Sequence, residues 1–382
     1  MGAVKVAVAG LGFIGTAHVE ALRRVPGVEV VAAADANPAV AEKGARDLAI
    51  PRVYSDWREL LRDPEIQAVH NCTPNHLHYE INKAIILAGK AVLSEKPLTA
   101  TAAEATELVA LARERKVVNA VSFNYRHYPM VQQARAMVSS GELGTVRLAY
   151  GHYLQDWLLY ETDYNWRIEP ELGGPSRAIA DIGSHWCDTV QHVLGQRITR
   201  VLADVATLVP QRVRPPEGSR ETFTTGAGGG ERVPVRTEDY ATVIVEFDGG
   251  VRGAFTVSQV SPGHKNDLLF ELAGTRAGVR WAQEDAERLW VGRRDQPNAV
   301  LMRDPGLIAG AARPFVHYPG GHGEGWPDAL KNQMLQFYTF LQQGGDLLAD
   351  RPVFATFEDA CYIVRIVEAI LRSARTGTWA DV

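Results

Sequence analysis

Val4–Gly15 reads VKVAVAGLGFIG, and the first third of the chain is understood once this stretch is parsed. Val4 to Ala9 is a short β-rich run that stops at Gly10. Gly10, Gly12 and Gly15 follow at GxGxxG spacing, and His18, Ala21, Leu22 and Val25 then recur at helical intervals. A second apolar run, Val28–Ala34, ends at Asp35, twenty positions beyond Gly15. Strand, glycine turn, helix, strand and acid in that order form a dinucleotide-binding fingerprint. Gly10 permits the tight turn, Gly12 lets backbone N–H groups approach a pyrophosphate, and Gly15 lets the helix lie close to the strand. The helix N-terminus adds unpaired donors and partial positive charge. A glycine turn of a flavodoxin-like fold would share the glycines but not the full setting.

Asp35 bears on cofactor choice. A carboxylate there accepts hydrogen bonds from the adenosine ribose hydroxyls and repels the extra phosphate of NADP. Ala36, Asn37 and Pro38 bring no arginine to that phosphate, so NAD is favoured over NADP. Gly10, Gly12, Phe13, Ile14, Gly15 and Asp35 are the cofactor candidates of this stretch.

Further along, Ile66–Cys72 is the next buried strand and runs into Thr73-Pro74-Asn75, where Thr73 or Asn75 can cap the helix from His78 to Gly89. Ala91–Ser94 is a strand ending in Glu95-Lys96-Pro97. In an open parallel sheet, ligands bind beyond the carboxyl ends of the strands, so chemistry is expected at this tripeptide. Ala102–Lys116 and Val117–Ser122 complete six strand-like segments, which predicts a Rossmann NAD-binding domain over residues 1–125. His70, His76 and His78 alternate across a strand-to-helix junction, a spacing unsuited to common metal geometry. Capping and cofactor contacts are the plainer account, and no metal is assigned.

From Val146 the pattern becomes long alternating strands separated by hairpin signals such as Asp248-Gly249-Gly250. Residues 126–382 are therefore expected to form an α+β domain with a large, mostly antiparallel, open-faced sheet. Pro210–Arg236, rich in Gly, Pro, Ser and Thr, predicts an exposed excursion. Two amphipathic helices, about Trp326–Gln343 and Thr356–Arg375, finish the chain. Within this half, Gly173–Gly195 reads GGPSRAIADIGSHWCDTVQHVLG, and apolar residues at helical spacing predict one helix from Ala178 to Gly195. Asp181 and His185, four apart, share a face of that helix. The pair suits proton transfer at neutral pH; taken alone, it suits a surface ion pair or helix contact equally well.

A net charge of −5 with no basic stripe argues against nucleic acid as the main partner. The three cysteines show neither CxxC spacing nor a disulfide framework, which suits a reducing cytoplasm. No apolar run approaches the ~20 residues of a membrane span. MGAVKVAVAGLGFIG has the look of a short signal peptide, but its glycine pattern fits a folded first strand better.

GLGFIG, Asp35, CTPNHLH (72–78), GKAVLSEKPL (89–98) and GG…DIGSHWCD (173–188), in that order, resemble the glucose–fructose oxidoreductase / inositol 2-dehydrogenase (Gfo/Idh/MocA) family. The resemblance covers nearly the whole chain. Tyr153-Leu154-Gln155-Asp156-Trp157 and Asn165-Trp166-Arg167 look most like its levoglucosan dehydrogenase branch. It implies an NAD(P)-dependent dehydrogenase moving a hydride between nicotinamide and a secondary alcohol of a sugar, glycoside or cyclitol. It also implies a homo-oligomer, dimer or tetramer, joined through the open face of the second sheet. Lys96 would touch the nicotinamide ribose and the reacting hydroxyl, with Asp181 and His185 as its catalytic partners. Thr73, Pro74, Asn75, His78, Glu95, Trp166 and Arg167 join the cofactor set, and a cis Lys96–Pro97 bond is implied.

His185 is then the base, Asp181 orients substrate or imidazole, and Lys96 stabilises the developing alkoxide. Tyr153, Trp157 and Trp166 suit the face of a sugar ring, while Arg126, Gln155, Asp156, His322 and Glu324 suit its hydroxyls. The loop Tyr318–Gly325 is either a ligand-approaching loop or a plain turn. Two other functions fit parts of the pattern. One is an NAD-retaining glycoside hydrolase working by transient oxidation; the other is a non-catalytic NAD-binding sensor, against which the joint presence of Lys96, Asp181 and His185 speaks.

Asp35 generates a prediction. Catalytic efficiency with NAD should exceed that with NADP, and Asp35→Ser should narrow the gap. Equal efficiency of the unaltered protein with both cofactors would refute it.

Overall fold

The first six strands pair in parallel, in the order β3-β2-β1-β4-β5-β6. In chain order these are β1 (Val4–Ala9), α1 (Phe13–Leu22), β2 (Val28–Ala34), α2 (Pro38–Asp47), β3 (Arg52–Tyr54), α3 (Arg58–Arg62) and β4 (Ala68–Asn71). They continue with α4 (His78–Leu87), β5 (Ala91–Ser94), α5 (Ala102–Arg115) and β6 (Asn119–Val121). The computed structural model describes residues 2–216 and 230–382. Val6, Ala7, Val8, Ala32, Ala33, Val92 and Leu93 are buried, as expected of a parallel sheet covered on both faces. The order reverses between β1 and β4, which creates the crevice where such sheets bind ligands. Helix α5 is fixed at its start by a reciprocal cap between Thr101 and Glu104.

The second sheet has nine strands in the order β16-β15-β14-β13-β7-β12-β11-β8-β17. Its elements begin with α6 (Pro129–Ser139), β7 (Val146–Leu154), α7 (Pro170–Gly173) and α8 (Ser184–Leu194). Strands β8 (Ile198–Ala206), β9 (Gln211–Arg214), β10 (Glu231–Pro234), β11 (Tyr240–Phe247) and β12 (Arg252–Ser258) follow. Then come β13 (Asp267–Gly274), β14 (Gly278–Ala282), β15 (Arg288–Gly292), β16 (Ala299–Met302), α9 (Trp326–Gln342), α10 (Phe357–Thr376) and β17 (Ala380–Asp381). Among the described residues, the β7–β12 pairing is the only parallel one in this sheet. On one face, Trp186 of α8 stacks on Phe255 with ring centroids 4.3 Å apart and donates its indole N–H to the Leu269 carbonyl at 3.1 Å. Gly151 of β7 makes this possible, because a Cβ there would stand 2.0 Å from that carbonyl and 2.7 Å from the indole nitrogen. On the other face Leu148, Tyr150 and Ile244 remain exposed.

Three expectations are corrected. The helix predicted from Ala178 to Gly195 is not one continuous α-helix: Ile179–Gly183 is a π-helical turn, and α8 starts at Ser184. The Ser184 hydroxyl donates to the Ala180 carbonyl at 2.7 Å, a side-chain competitor for the acceptor that an α-helix reserves for the backbone. The stretch 210–236 is not wholly an exposed excursion. Its ends pair as the β9–β10 ribbon, and Arg212 is buried, donating to the carbonyls of Leu158, Tyr160 and Asp163. The rest of that stretch, 217–229, lies outside the described residues. Finally, the chain divides not at one point but into Met1–His127 with Trp326–Val364, and Tyr128–Gly325 with Arg365–Val382. Leu330, Met334, Phe337 and Tyr338 of α9 enter the same core as Val6, Val19 and Leu22, which draws the helix into the first unit.

Gly151→Ala should therefore strain the contact between β7, β13 and α8. Overpacking of this kind costs about 1–3 kcal/mol. A lower thermal midpoint with altered tryptophan fluorescence is expected; an unchanged midpoint would show that the close approach is not needed.

Candidate active site

In the first unit the glycine turn has the shape its sequence demands. Gly10 sits at φ +88°, and a Cβ on Gly15 would fall 1.9 Å from the Gly10 carbonyl oxygen, so α1 packs on its own turn only because both are glycine. A Cβ on Gly12 would meet nothing within 4 Å. Gly12 is the N-cap of α1 and has no side chain to cap it. That open space over helix N–H groups suits a pyrophosphate. The Asp35 carboxylate, at the end of β2, accepts the Leu11 N–H at 2.8 Å and the Asn37 N–H at 2.9 Å. It is thereby held beside the turn where an adenosine ribose is recognised. These residues fit NAD.

The carboxyl ends of β4 and β5 are joined by a buried amide ladder. Asn71 donates to Asn82 at 2.9 Å, and Asn82 donates to the Ser94 hydroxyl at 2.9 Å. The Thr73 hydroxyl donates to Asn71 at 2.7 Å, which fixes the start of the Thr73-Pro74-Asn75 turn. His78, expected among cofactor contacts, is buried instead, with its ring nitrogens 2.8 Å from the Thr73 carbonyl and 2.6 Å from the Pro97 carbonyl. It braces the two turns against each other. Lys96–Pro97 is cis. The Glu95 carboxylate also faces inward: it lies 3.0 Å from the His18 ring and accepts the Lys96 N–H at 3.2 Å. Burial opposes its ionisation, but His18, Lys96 and Ser122 hold it at about 2. Arg126, in the same unit, is buried 3.8 Å from Asp359.

In the second unit, the π turn presents Asp181 and α8 presents His185. Asp181 accepts a hydrogen bond from the Gln259 amide at 2.9 Å and lies 3.7 Å from the Arg167 guanidinium. Arg167 lies over the Trp166 ring, 4.4 Å from its centroid. Within this unit Arg167 therefore lies beside Asp181. The buried His185 ring stands 6.2 Å from that of Tyr153. Tyr153 O–H and the Gln155 amide both donate to the Asn266 side chain, at 2.5 and 2.8 Å, and Trp157 donates to Gln155 at 2.9 Å. Tyr153, Gln155 and Trp157 accordingly form one network. Asp156 is engaged elsewhere, by Lys265 at 2.6 Å and the Gly263 N–H at 3.1 Å. His322 is exposed on a loop whose carbonyls at Tyr318, Pro319 and His322 are gathered by the buried Arg303; Glu324 pairs with Arg303 at 2.9 Å.

Gln259, Asn266, Glu238 and Arg303 escaped the sequence-based reading. Glu238-Asp239 carried a signal, an acidic pair leading into an apolar strand; Gln259 and Asn266 carried none, being ordinary loop residues. The Glu238 carboxylate accepts the N–H groups of Arg177 and Ile179 at 2.8 and 2.9 Å and the Ser176 hydroxyl at 2.7 Å. Burial pushes its carboxyl up from the ordinary range. His264, Asp267 and Glu284 bring donor atoms within 4.8 Å of one another. Asp267 already accepts from His264 at 2.9 Å and His152 at 3.0 Å, and Glu284 from the Lys265 and Asn266 N–H groups. Hydrogen bonding accounts for this cluster, and it steadies the loop that carries Asn266.

Residues 4–123 match the GFO/IDH/MocA oxidoreductase family with an NAD-binding Rossmann fold, and residues 131–280 match the GFO/IDH/MocA C-terminal domain. The chain is 30% identical over 399 residues to a levoglucosan dehydrogenase of Pseudarthrobacter phenanthrenivorans, spanning 99% of this chain and 98% of that protein. A solved levoglucosan dehydrogenase in complex with NADH and L-sorbose superposes with TM-score 0.89 at 28% identity, covering 100% of this chain and 99% of that one. An inositol dehydrogenase homolog from Azotobacter vinelandii, complexed with NAD+, gives 0.86 at 29% identity over 100% and 98% of the two chains.

Glu238 is the sharpest test of how the second half of this site is held. Glu238→Gln keeps an acceptor for the Arg177 and Ile179 N–H groups and should unfold close to the parent. Glu238→Ala leaves buried donors unmet, each costing about 1–3 kcal/mol. Equal midpoints for both variants in chemical denaturation would contradict the cap.

Proposed function

The chain belongs to the GFO/IDH/MocA oxidoreductase family; from that premise we propose that it is an NAD-dependent dehydrogenase of the secondary alcohols of sugars, glycosides or cyclitols, with Lys96, Asp181 and His185 carrying the reaction. The carrying observation is Asp181, held by Gln259 and Arg167 on the π turn one turn before His185.

NAD, when bound, supplies the hydride acceptor. The α1 N-terminus with Gly10, Gly12, Phe13, Ile14 and Gly15 binds its phosphates, and Asp35 its adenosine ribose. Thr73, Pro74, Asn75 and Trp166 complete the cofactor contacts. His185 takes the proton of the substrate hydroxyl, a task for which imidazole is suited near neutral pH. Asp181 orients that exchange and stabilises the imidazolium, with its own orientation set by Gln259 and Arg167. Lys96 keeps a fixed positive charge at the oxygen that becomes anionic. Tyr153, Gln155 and Trp157 serve a pyranose-like ring or cyclitol, with Arg126 and His322 as further hydroxyl contacts.

Assembly as a homo-oligomer through the second sheet is part of the same proposal. Tyr150, Ala254 and Ile244 sit side by side across β7, β12 and β11, and Tyr150 and Ile244 are exposed. An apolar row of this kind suits burial against another copy. A cytoplasmic location agrees with three unpaired, buried cysteines.

A screen of sugars and cyclitols with NAD and NADP, read as reduced cofactor, should find turnover on ring polyols and little on aliphatic alcohols or 2-hydroxy acids. Net release of NADH separates a dehydrogenase from an NAD-retaining hydrolase. His185→Ala should lose about 10²–10⁴-fold in hydride transfer while NAD affinity is kept, and Asp181→Asn should raise KM as it lowers kcat. Single-turnover transfer by His185→Ala at the parent rate across pH 6–8 would remove His185 from the mechanism.

A further inference from the structure

Four side chains of the first unit, outside the set assigned to substrate and cofactor except for Glu95, form a continuous buried chain. The Tyr338 hydroxyl lies 2.7 Å from His70 Nε2. His70 Nδ1 lies 2.8 Å from His18 Nδ1, and His18 Nε2 lies 3.0 Å from the Glu95 carboxylate. They come from α9, β4, α1 and the end of β5, and the rings and the Tyr338 hydroxyl are fully buried.

Hydrogen-bond logic orients the protons. An ionised carboxylate only accepts, so His18 Nε2 carries a hydrogen. With one hydrogen on each ring, His18 Nδ1 accepts from His70 Nδ1–H, and His70 Nε2 accepts from the Tyr338 O–H. Every donor in the chain is met, and all point towards Glu95. The surroundings agree: burial pushes His70 well below its usual range, which keeps the ring neutral, and burial pushes the Tyr338 phenol well up, which keeps it a donor.

We propose that His18, His70 and Tyr338 are positioning residues for Lys96: they form a one-way hydrogen-bond chain that holds Glu95 as an oriented anion, and Glu95 in turn fixes the Lys96 main chain. The proposal rests on the role given above to Lys96. Apart from the chain, Glu95 is faced by Lys96 beside it, by the Cys72 thiol at the end of β4, by His78 of α4 and by Ser122 beyond β6. Cys72, made a poorer acid by burial and by Glu95, stays neutral. Without the His18 donor, a buried Glu95 takes up a proton, and the Lys96 main chain loses the oriented anion that fixes it.

The test uses the full chain. In the apo protein, 15N NMR of labelled histidines should find His18 as the Nε2–H and His70 as the Nδ1–H tautomer from pH 5.5 to 8.5, and Tyr338→Phe should move the His70 Nε2 resonance. The opposite His70 tautomer would overturn the chain. His18→Leu should lower kcat by up to about 100-fold while KM for the sugar changes little. NAD affinity by calorimetry should stay near the parent value, and His18→Gln, which restores a donor, should recover most of the loss. Should His18→Leu fail to fold, Tyr338→Phe, which removes a single oxygen, should lower kcat the same way by less; an unmoved kcat overturns the proposal. Lys96→Ala separates the two claims. Parent-like turnover in that variant refutes the role of Lys96, and the chain's purpose with it. An inactive Lys96→Ala beside a parent-like kcat of His18→Leu refutes the chain alone.

Discussion

Two adjacent carboxylates buried at the entrance to β11, Glu238 and Asp239, are the constraint on which the second half of this molecule depends. Glu238 caps the segment leading into the π turn. Asp239 sits between Arg177 and Arg212, which are themselves buried, and also accepts the Val209 N–H at 2.7 Å. The stretches 176–179 and 209–212 meet on these two side chains, and Arg212 ties residues 158–163 to them through three carbonyls. Removing one member would leave an uncompensated buried charge, a far larger loss than the net worth of an intact ion pair. The orientation of Asp181 and His185 therefore depends on residues that touch neither.

The first unit solves the same problem mostly with neutral groups, Glu95 being the exception. The sheet buries its apolar strands completely, and polar side chains appear where the chain leaves its carboxyl edge: Asn71, Thr73, Ser94, Glu95. Each is tied to another, through Asn82, His78 or His18, before any ligand enters. The turns after β4 and β5 are thus held by hydrogen bonds inside a rigid sheet edge. Such pre-organisation lets a binding site act without first paying an ordering cost.

The two halves divide the chemistry. Glycine backbone, a helix N-terminus and Asp35 are the parts proposed to recognise a dinucleotide, which needs close main-chain approach and one well-placed carboxylate. Tyr153, Gln155, Trp157 and Asn266 form an aromatic and amide network proposed to meet a hydroxylated ring. Asp181 stands on the π turn and His185 on α8, and Arg167 lies 3.7 Å from Asp181. The π turn matters here because it resets the phase between the two residues relative to a regular helix.

Local rules were sufficient wherever neighbours in sequence decide the outcome. GLGFIG with Asp35, the parallel strand runs, the glycine stop at Gly195 and the alternating strands after Val146 were all written in spacing. So were the residues that carry the resemblance, Lys96, Asp181 and His185. What spacing did not contain was any contact made across tens or hundreds of positions. Ser184 and Glu238 turned a predicted α-helix into a π turn, Arg212 pulled an apparently loose segment into the core, and α9 crossed back to pack beside α1. The carbonyl partners of His78 and the carboxylate beside Arg167 were likewise absent from the spacing. The physical reason is the same in each case. Backbone periodicity is a local property, set by side-chain shape and φ/ψ preference. The partner of a buried polar group is instead whichever acceptor or donor the folded chain brings within about 3 Å.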